Sequence, residues 1–589
     1  MSLASEAAVP TIALEGSRKS RSQLTRARIR WVIFGLILVF GVIAGRLVQL
    51  GSVVVETSIE GQTRDAITAT RPPILDRNGL EMAVDIRVPS LFAEPRRIID
   101  VEEAVTALRT VLPELDADWL RRRLTGDRGF VWVKRELTPA VADRIFQLGI
   151  PGLDFVTESK RFYPGGREAS HILGAVNIDN QGIAGIEKNM DDRDVALLQE
   201  LGLARDRALA PVSLSIDARV QHVMYSELLD TFTRYKAIAA AGVMVDVRTG
   251  EVLAMVSLPD FDPNNPASAF ELYDGKKDQR FNRITSGIYE LGSTFKTVTF
   301  AGAIDSGRVR LTDNFDARFG IRFGRFTIDD FHGKHRVLST SEVYKYSSNI
   351  GTIRIMQAMG KDEFRAFLTK LGMDKPMQIE LPERRNPVVP EKFSEIVAAT
   401  ASFGHGLSVS PLHMAKAMAA FVNDGMMVPV TLYKRDEAAA RPLYEPVISP
   451  QTSAQIRYLM RLNAIDGSGS RMDREARGYR TGGKTGTAEK VVDGRYSSSK
   501  TLAVFASAFP LDDPQYAMVI LVDEPQKETP QSGTTAGWNA GEVTGRIVKR
   551  VAPMLGIAPD FSEMLDQALV PASMARAPAP ENRLGVPSL

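Results

Sequence analysis

The sequence predicts an α+β protein: an antiparallel sheet flanked by helices, after a single N-terminal membrane helix and a small mixed domain. Three observations carry this expectation. Two pairs of apolar, strand-like runs bracket a long stretch, the first near residue 241 and the last ending near residue 522, with helix-period segments between them. A mixed, charged region precedes that stretch. Nearer the N-terminus, an uncharged run follows a cluster of basic residues. At 589 residues the chain exceeds one hydrophobic core, so two or three domains are expected.

Residues 1–30 read as a cytoplasmic basic tail. Arg18, Lys19, Arg21, Arg26, Arg28 and Arg30 lead into the uncharged run from Trp31 to Gly45. That run alone would span about 22 Å, short of the roughly 30 Å of hydrocarbon. Continuing to Leu50 supplies the missing length, with Arg46 near the outer end, where its stem can snorkel. The positive cluster sets the N-terminus inside and the bulk of the chain outside. A cleaved signal peptide, with Val42 and Ala44 as its small-residue site, is the rival. Apolar character persisting through Val55 favours an uncleaved anchor over 31–50, and either reading exports the rest.

From Glu56 to about Leu209 the chain shows short strand-like runs and no long amphipathic helix, giving a pedestal domain over 51–205. Leu201 to Pro211 reads as a connector. The main domain, 210–557, opens with a helix over Ser215 to Leu229, Asp217 being its N-cap. Strands follow at Ala241 to Val247 and Glu251 to Leu258, separated by Arg248-Thr249-Gly250. Helices are expected after Ser293, around Val343 to Met359, and over Leu412 to Val422. Strands Thr501 to Phe509 and Tyr516 to Val522, joined by Asp512-Asp513-Pro514, close the domain. Strands at both ends of one domain pair most simply in one antiparallel sheet. The remainder, 558–589, is a tail, rich in Ala and Pro from Pro571.

A net charge of +2 argues against a nucleic-acid partner, since no cationic excess is available for phosphates. Cysteine is absent, which removes disulfides, zinc–thiolate sites, thiol nucleophiles and a lipoprotein anchor. No metal site and no cofactor is expected.

Three short motifs carry chemistry. Ser293-Thr294-Phe295-Lys296 opens a helix continued by Thr297, Val298 and Phe300, so Lys296 lies one turn from the Ser293 hydroxyl. A serine hydroxyl needs a base, and lysine serves only when burial or a second cation lowers its pKa. Ser347-Ser348-Asn349 supplies a hydroxyl able to relay a proton and an amide able to orient a substrate amide, although a helix-capping cluster explains it equally well. Lys484-Thr485-Gly486-Thr487 sets a cation and two hydroxyls, suited to a carboxylate, beside a glycine that permits close backbone approach. Each is weak alone. Together, in this order, they form a recognised set for penicillin-interacting serine enzymes.

Competing matches are less persuasive. Ser497 and Lys500 repeat the first spacing in a polar, Ser-rich turn. Gly478 to Thr485 fits a phosphate-binding loop letter for letter, but such a loop must follow a buried strand and open a helix. His332 and His335 lie in a polar loop without carboxylates for a metal, and His405 between two glycines borders the cleft. No Ser-His-Asp arrangement is apparent, so lysine is the favoured base.

With these motifs the chain resembles class B penicillin-binding proteins, specifically the septal, division-specific D,D-transpeptidases. The resemblance also rests on Asp76-Arg77-Asn78-Gly79, Arg161-Phe162-Tyr163-Pro164, His171-Ile172-Leu173-Gly174, Gly185-Ile186-Glu187, Thr249 to Met255, and Gly404 to Pro411. Two departures stand out: Leu291 where the family usually has proline, and Pro72 after Arg71 where it has glycine. The resemblance implies a monofunctional transpeptidase domain of the serine β-lactamase-like fold, facing the periplasm from the cell inner membrane. It implies Ser293 as nucleophile, Lys296 as base and Ser347 as proton relay, with backbone N–H groups of Ser293 and Thr487 holding the oxyanion. It implies Lys484, Thr485, Gly486 and Thr487 around the terminal carboxylate and Asn349 on the peptide backbone. Its substrates would be stem peptides, a D-Ala-D-Ala donor and an amine acceptor. β-Lactams would be inhibitors, and divisome membrane proteins, including a lipid II polymerase, would be partners. Alternatives are the elongation-specific enzyme, a D,D-carboxypeptidase or β-lactamase, and a non-catalytic division scaffold.

Overall fold

A computed structural model describes residues 71–192, 210–271, 278–492, 495–562 and 569–571, with helical stretches at 34–36 and 38–44. Two compact units result, one containing residues 89–156 and the other residues 68–88 with 157–589.

In the first unit, the helix Val101–Val111 starts at Asp100, whose carboxylate accepts from the N–H groups of Glu102 and Glu103. Ala117–Leu124 is capped likewise by Asp116, and Pro139–Phe146 by Thr138 with a proline at its first position. Ala104, Val105 and Leu108, with Leu120, Leu124 and Ile145, meet Val131 and Val133 of the alternating strand Val131–Lys134 in a small core. The expectation of no long amphipathic helix before Leu209 is therefore corrected. Val101, Ala104, Val105, Leu108 and Val111 recur at helical spacing, a signal that the sequence reading passed over.

The second unit is built on one antiparallel sheet. Its strands are β1 (Ala239–Asp246), β2 (Val252–Leu258), β3 (Gly482–Val492), β4 (Arg495–Phe509) and β5 (Tyr516–Asp523), in the order β3-β4-β5-β1-β2. Val243 pairs with Met255 on one side and Val519 on the other, and Lys484 pairs with Ala506. β1, β2 and β5, and β4 from Leu502 on, read as largely apolar runs because both faces are covered. Val243, Val245, Val504 and Val519 enter one core, whereas Met244, Phe505, Met518 and Ile520 enter another. Full burial of each such side chain contributes roughly 1.5–3 kcal/mol.

Among the helices around the sheet are α1 (Ala218–Arg234), α2 (Lys296–Asp305), α3 (Thr340–Tyr346), α4 (Asn349–Met359), α5 (Pro411–Val422), α6 (Pro450–Asp466) and α7 (Ala540–Met554). α1, capped by Asp217 as its sequence indicates, and α7 cover the second face. On the first face, α2 is buried at every residue from Lys296 to Ile304, and α5 at all but Lys416. A helix apolar all round belongs inside a protein. The lysine that opens α2 is therefore dragged into the core.

The single helix expected over Val343 to Met359 is in fact two, broken at Ser347, which adopts φ 57° and ψ 39°. Ser348 then caps α4 through the N–H of Gly351. Elsewhere in this unit, Glu187 joins two arginines, Arg71 at 2.8 Å and Arg161 at 2.7 Å, and Arg161 reaches Asp85 at 3.0 Å. The carbonyl of Pro72, the second departure noted above, accepts from Arg161 Nη2 at 3.0 Å.

Among the described residues no helix is long and apolar enough to cross a membrane. The anchor expected over 31–50 falls partly outside them. Its described helical pieces leave Phe34, Leu36, Leu38, Val39, Phe40, Val42 and Ile43 exposed. The basic tail, residues 201–209 of the connector and the end of the C-terminal tail also lie outside the described residues.

Candidate active site

Ser293 sits in a tight 3-10 turn, Gly292–Phe295, that runs directly into α2. Leu291, the departure from proline, holds φ −87° with its side chain fully buried. That angle is close enough to the proline value of about −65° for the turn to survive the replacement. Its carbonyl accepts from Thr294 Oγ1 at 2.8 Å, which locks the turn. Two glycines let other segments close on it. A Cβ on Gly486 of β3 would stand 2.4 Å from the Leu291 carbonyl oxygen, and one on Gly404 2.1 Å from that of Gly292. The serine itself is partly exposed, and its hydroxyl has no hydrogen-bond partner among the described residues.

Lys296 is completely buried. Its Nζ lies 2.5 Å from the Ser347 carbonyl oxygen, 2.8 Å from Asn349 Oδ1 and 3.0 Å from Ser347 Oγ. Burial, and then the nearby Lys484 cation, hold its pKa well below the ordinary lysine value, while Asp330 opposes the shift. Lys484, also fully buried, is pushed down to about 7 by burial. Its Nζ reaches the same Ser347 Oγ at 3.0 Å. One hydroxyl thus bridges two lysines.

The break between α3 and α4 makes this possible. A serine in the left-handed region costs on the order of 1 kcal/mol or more, and persists only where its surroundings hold it. Asp330 is the main restraint. It accepts from Ser348 Oγ at 2.7 Å, from the Ile350 N–H at 3.0 Å and from the Asn349 N–H. A carboxylate at a helix N-terminus is also favoured by the helix dipole. Asn349 Nδ2 donates to the Asp329 carbonyl at 3.2 Å. Sequence reasoning missed Asp330, and the Asp329-Asp330 pair ahead of the motif was the available signal.

On β3, Thr485 Oγ1 hydrogen-bonds Ser468 Oγ, which donates to Asn463 Oδ1 at 3.1 Å. Asn463 in turn donates to the Gly483 carbonyl at 2.8 Å. Thr487 Oγ1 accepts from the Ala536 N–H at 3.2 Å. These supports also escaped the sequence reading. Across the groove, Glu290 accepts from the Gly406 N–H at 2.9 Å and from Tyr496 OH at 3.2 Å. The His405 ring lies 5.9 Å from that of Tyr496.

The structure brings Lys296, Ser347, Asn349 and Lys484 into one hydrogen-bonded cluster, with Ser293 one turn before Lys296. Gly486 and Thr487 lie against the nucleophile's turn, a Cβ on Gly292 meeting the Thr487 carbonyl oxygen at 3.3 Å. The other matches lie elsewhere or lack their context. Lys484 and Thr485 stand inside a strand, so Gly478 to Thr485 opens no helix and is not a phosphate loop. Ser497 and Lys500 lie on β4, and His332 and His335 are exposed. No cluster of three metal-ligating side chains occurs among the described residues.

A helix-borne serine, a buried lysine one turn later and a lysine-bearing strand closing on both define the serine–lysine class of acyl-transferring enzymes. The chain belongs to the penicillin-binding protein transpeptidase family. Residues 240–549 match the penicillin binding protein transpeptidase domain, and residues 66–194 the penicillin-binding protein dimerisation domain. The chain is 37% identical over 505 residues to the probable peptidoglycan D,D-transpeptidase FtsI of Caulobacter vibrioides, covering 84% of this chain and 83% of that one. It is 30% identical over 519 residues to the peptidoglycan D,D-transpeptidase FtsI of Escherichia coli, covering 84% and 85% respectively. The fold is that of penicillin-binding protein 3 from Mycobacterium tuberculosis, solved with aztreonam. That match has a TM-score of 0.62 at 23% identity and covers 83% of this chain and 97% of that one.

Proposed function

We propose that this protein is the septal peptidoglycan D,D-transpeptidase of its cell, a penicillin target that cross-links stem peptides through an acyl-serine intermediate. The observation that carries the site assignment is the Ser347 hydroxyl held between two buried lysines beside Ser293. The Ser347 carbonyl and Asn349 Oδ1 can only accept, so they take two N–H bonds from a neutral Lys296. Its lone pair then remains for a proton. Lys296 draws the proton from Ser293 as the hydroxyl attacks the D-Ala-D-Ala carbonyl. Lys484, as the ammonium, donates to Ser347 Oγ, and Ser347 passes its own proton to the leaving amine while Lys296 hands the proton it took to Ser347 Oγ. The N–H groups of Ser293 and Thr487 hold the oxyanion, each such donor lowering the barrier by roughly 3 kcal/mol. Lys484, Thr485, Gly486 and Thr487 receive the terminal carboxylate and Asn349 the peptide backbone.

In this reading residues 31–50 anchor the chain in the cell inner membrane with its N-terminus cytoplasmic. The unbroken apolar surface of the described helical pieces there supports it. Residues 51–205 form the pedestal, 210–557 the catalytic domain and 558–589 a tail, and divisome proteins, a lipid II polymerase among them, dock on anchor and pedestal. Fluorescent penicillin should label the native chain covalently and leave Ser293→Ala unlabelled. Equal labelling of the two would remove Ser293 as nucleophile.

A further inference from the structure

Beside the groove opens a cavity of about 370 Å³, lined by His332, Lys334, Lys345, Tyr346, Asp466 and Ser468 among others. Two links tie it to the acylation site: Tyr346 immediately precedes Ser347, and Ser468 Oγ is hydrogen-bonded to Thr485 Oγ1. Its charge is unbalanced. Asp466 is already paired with Lys345, and Arg336 behind Tyr346 is paired with Glu342. Lys334 has no carboxylate partner among the described residues. Its Nζ stands 4.7 Å from the centre of the Tyr346 ring, with Lys345 Nζ at 5.0 Å and the Arg336 guanidinium carbon at 5.9 Å. An aromatic face within about 6 Å attracts such cations and helps hold Lys334 over the opening. The cavity is therefore a preformed place for an anion.

The donor does not need it, because the donor's carboxylate has its own place at Lys484, Thr485 and Thr487. The second half of the reaction does. There the acceptor amine occupies the place vacated by the released alanine. The acceptor is larger than that alanine and needs further space, and Ser468, the residue bonded to Thr485, lines the cavity. Resting on the acyl-serine reading above, we infer that this cavity is the acceptor subsite and that Lys334 recognises a carboxylate on the acceptor stem peptide. In the step it serves, the acceptor nitrogen bonds to the acyl carbon and the ester bond to Ser293 Oγ breaks. The proton shed by the amine returns to Ser293 Oγ through Ser347 and Lys296.

The test separates the two half-reactions in the full-length enzyme. Acylation is read with fluorescent penicillin. Acceptor use is read by mass spectrometry of the exchange products formed from a thioester donor. The acceptors are D-glutamate, D-2-aminoadipate and D-2-aminopimelate, each paired with its side-chain amide. The native enzyme should prefer the acid over the amide for at least one chain length, by about two- to fivefold, the range of an ion pair at an exposed lysine. In Lys334→Gln that preference should fall to about one, while penicillin acylates at the native rate. Absence of preference at every chain length, its survival in Lys334→Gln, or slowed acylation of that variant would each overturn the acceptor assignment. Failure of the native chain to label at all would instead strike the acyl-serine reading.

Discussion

In the unit containing residues 89–156, Arg121 pairs with Glu102 and Asp118 at the surface, all three side chains at least 43% exposed. Around Ser293, Lys296 and Lys484 are fully buried and meet no carboxylate within ion-pair distance among the described residues. The contrast extends to the backbone. Helices of the first region begin at ordinary Asp and Thr caps, whereas α3 ends on a serine forced into the left-handed region and α2 opens on a buried amine. Charge at the surface is screened, and its pairing says little about role. An ionisable amine kept inside without a counter-ion is costly in its charged form and has its pKa pushed down, which suits it to moving a proton.

That contrast can be broken or sharpened by experiment. Replacing Lys296 with Met fills the same volume and removes the base. Penicillin acylation should fall by about 10³-fold or more, since general-base assistance alone contributes 10²–10⁴. The melting temperature should move by only a few degrees, because a buried amine is exchanged for an apolar chain. A collapse of the fold would mean that the amine is structural. A smaller effect comes from pH. Acylation that requires Lys484 as the ammonium should decline as pH rises through about 7, by about tenfold per unit beyond it, because deprotonation removes the cation. Lys484→Arg stays charged and should move that alkaline limb upward. An unmoved limb would assign the titration to another group. Smallest of all, Arg121→Ala should leave both acylation and melting temperature unchanged, and a measurable loss in either would show that the surface pairs of residues 89–156 matter more than their exposure suggests.

The sheet was legible because its strands lie at the two ends of the domain as apolar runs bounded by turn residues. The motifs were legible because each holds its chemistry within four positions. The break at Ser347 was only partly legible: Ser347-Ser348-Asn349 reads as a capping cluster, but nothing local announces a left-handed residue. Asp330 reaches the second motif from a separate polar loop, and from the end of α6 and just beyond it Asn463 reaches the Gly483 carbonyl and Ser468 reaches Thr485. Such contacts depend on tertiary approach, which spacing along the chain does not encode. The apolar spacing of Val101–Val111 was legible as well, and the sequence reading passed over it.

The strand order has a consequence for how the chain comes together. β1 pairs with β5, and Val243 waits for Val519, 276 positions downstream. The β1–β2 hairpin emerges from synthesis apolar on both faces, long before its neighbours exist. Non-local pairing of this kind slows folding and prolongs exposure of sticky surface. The apolar faces of the hairpin therefore stay uncovered until β5 has been made, and a chain that stops before β5 lacks the strand that pairs with β1.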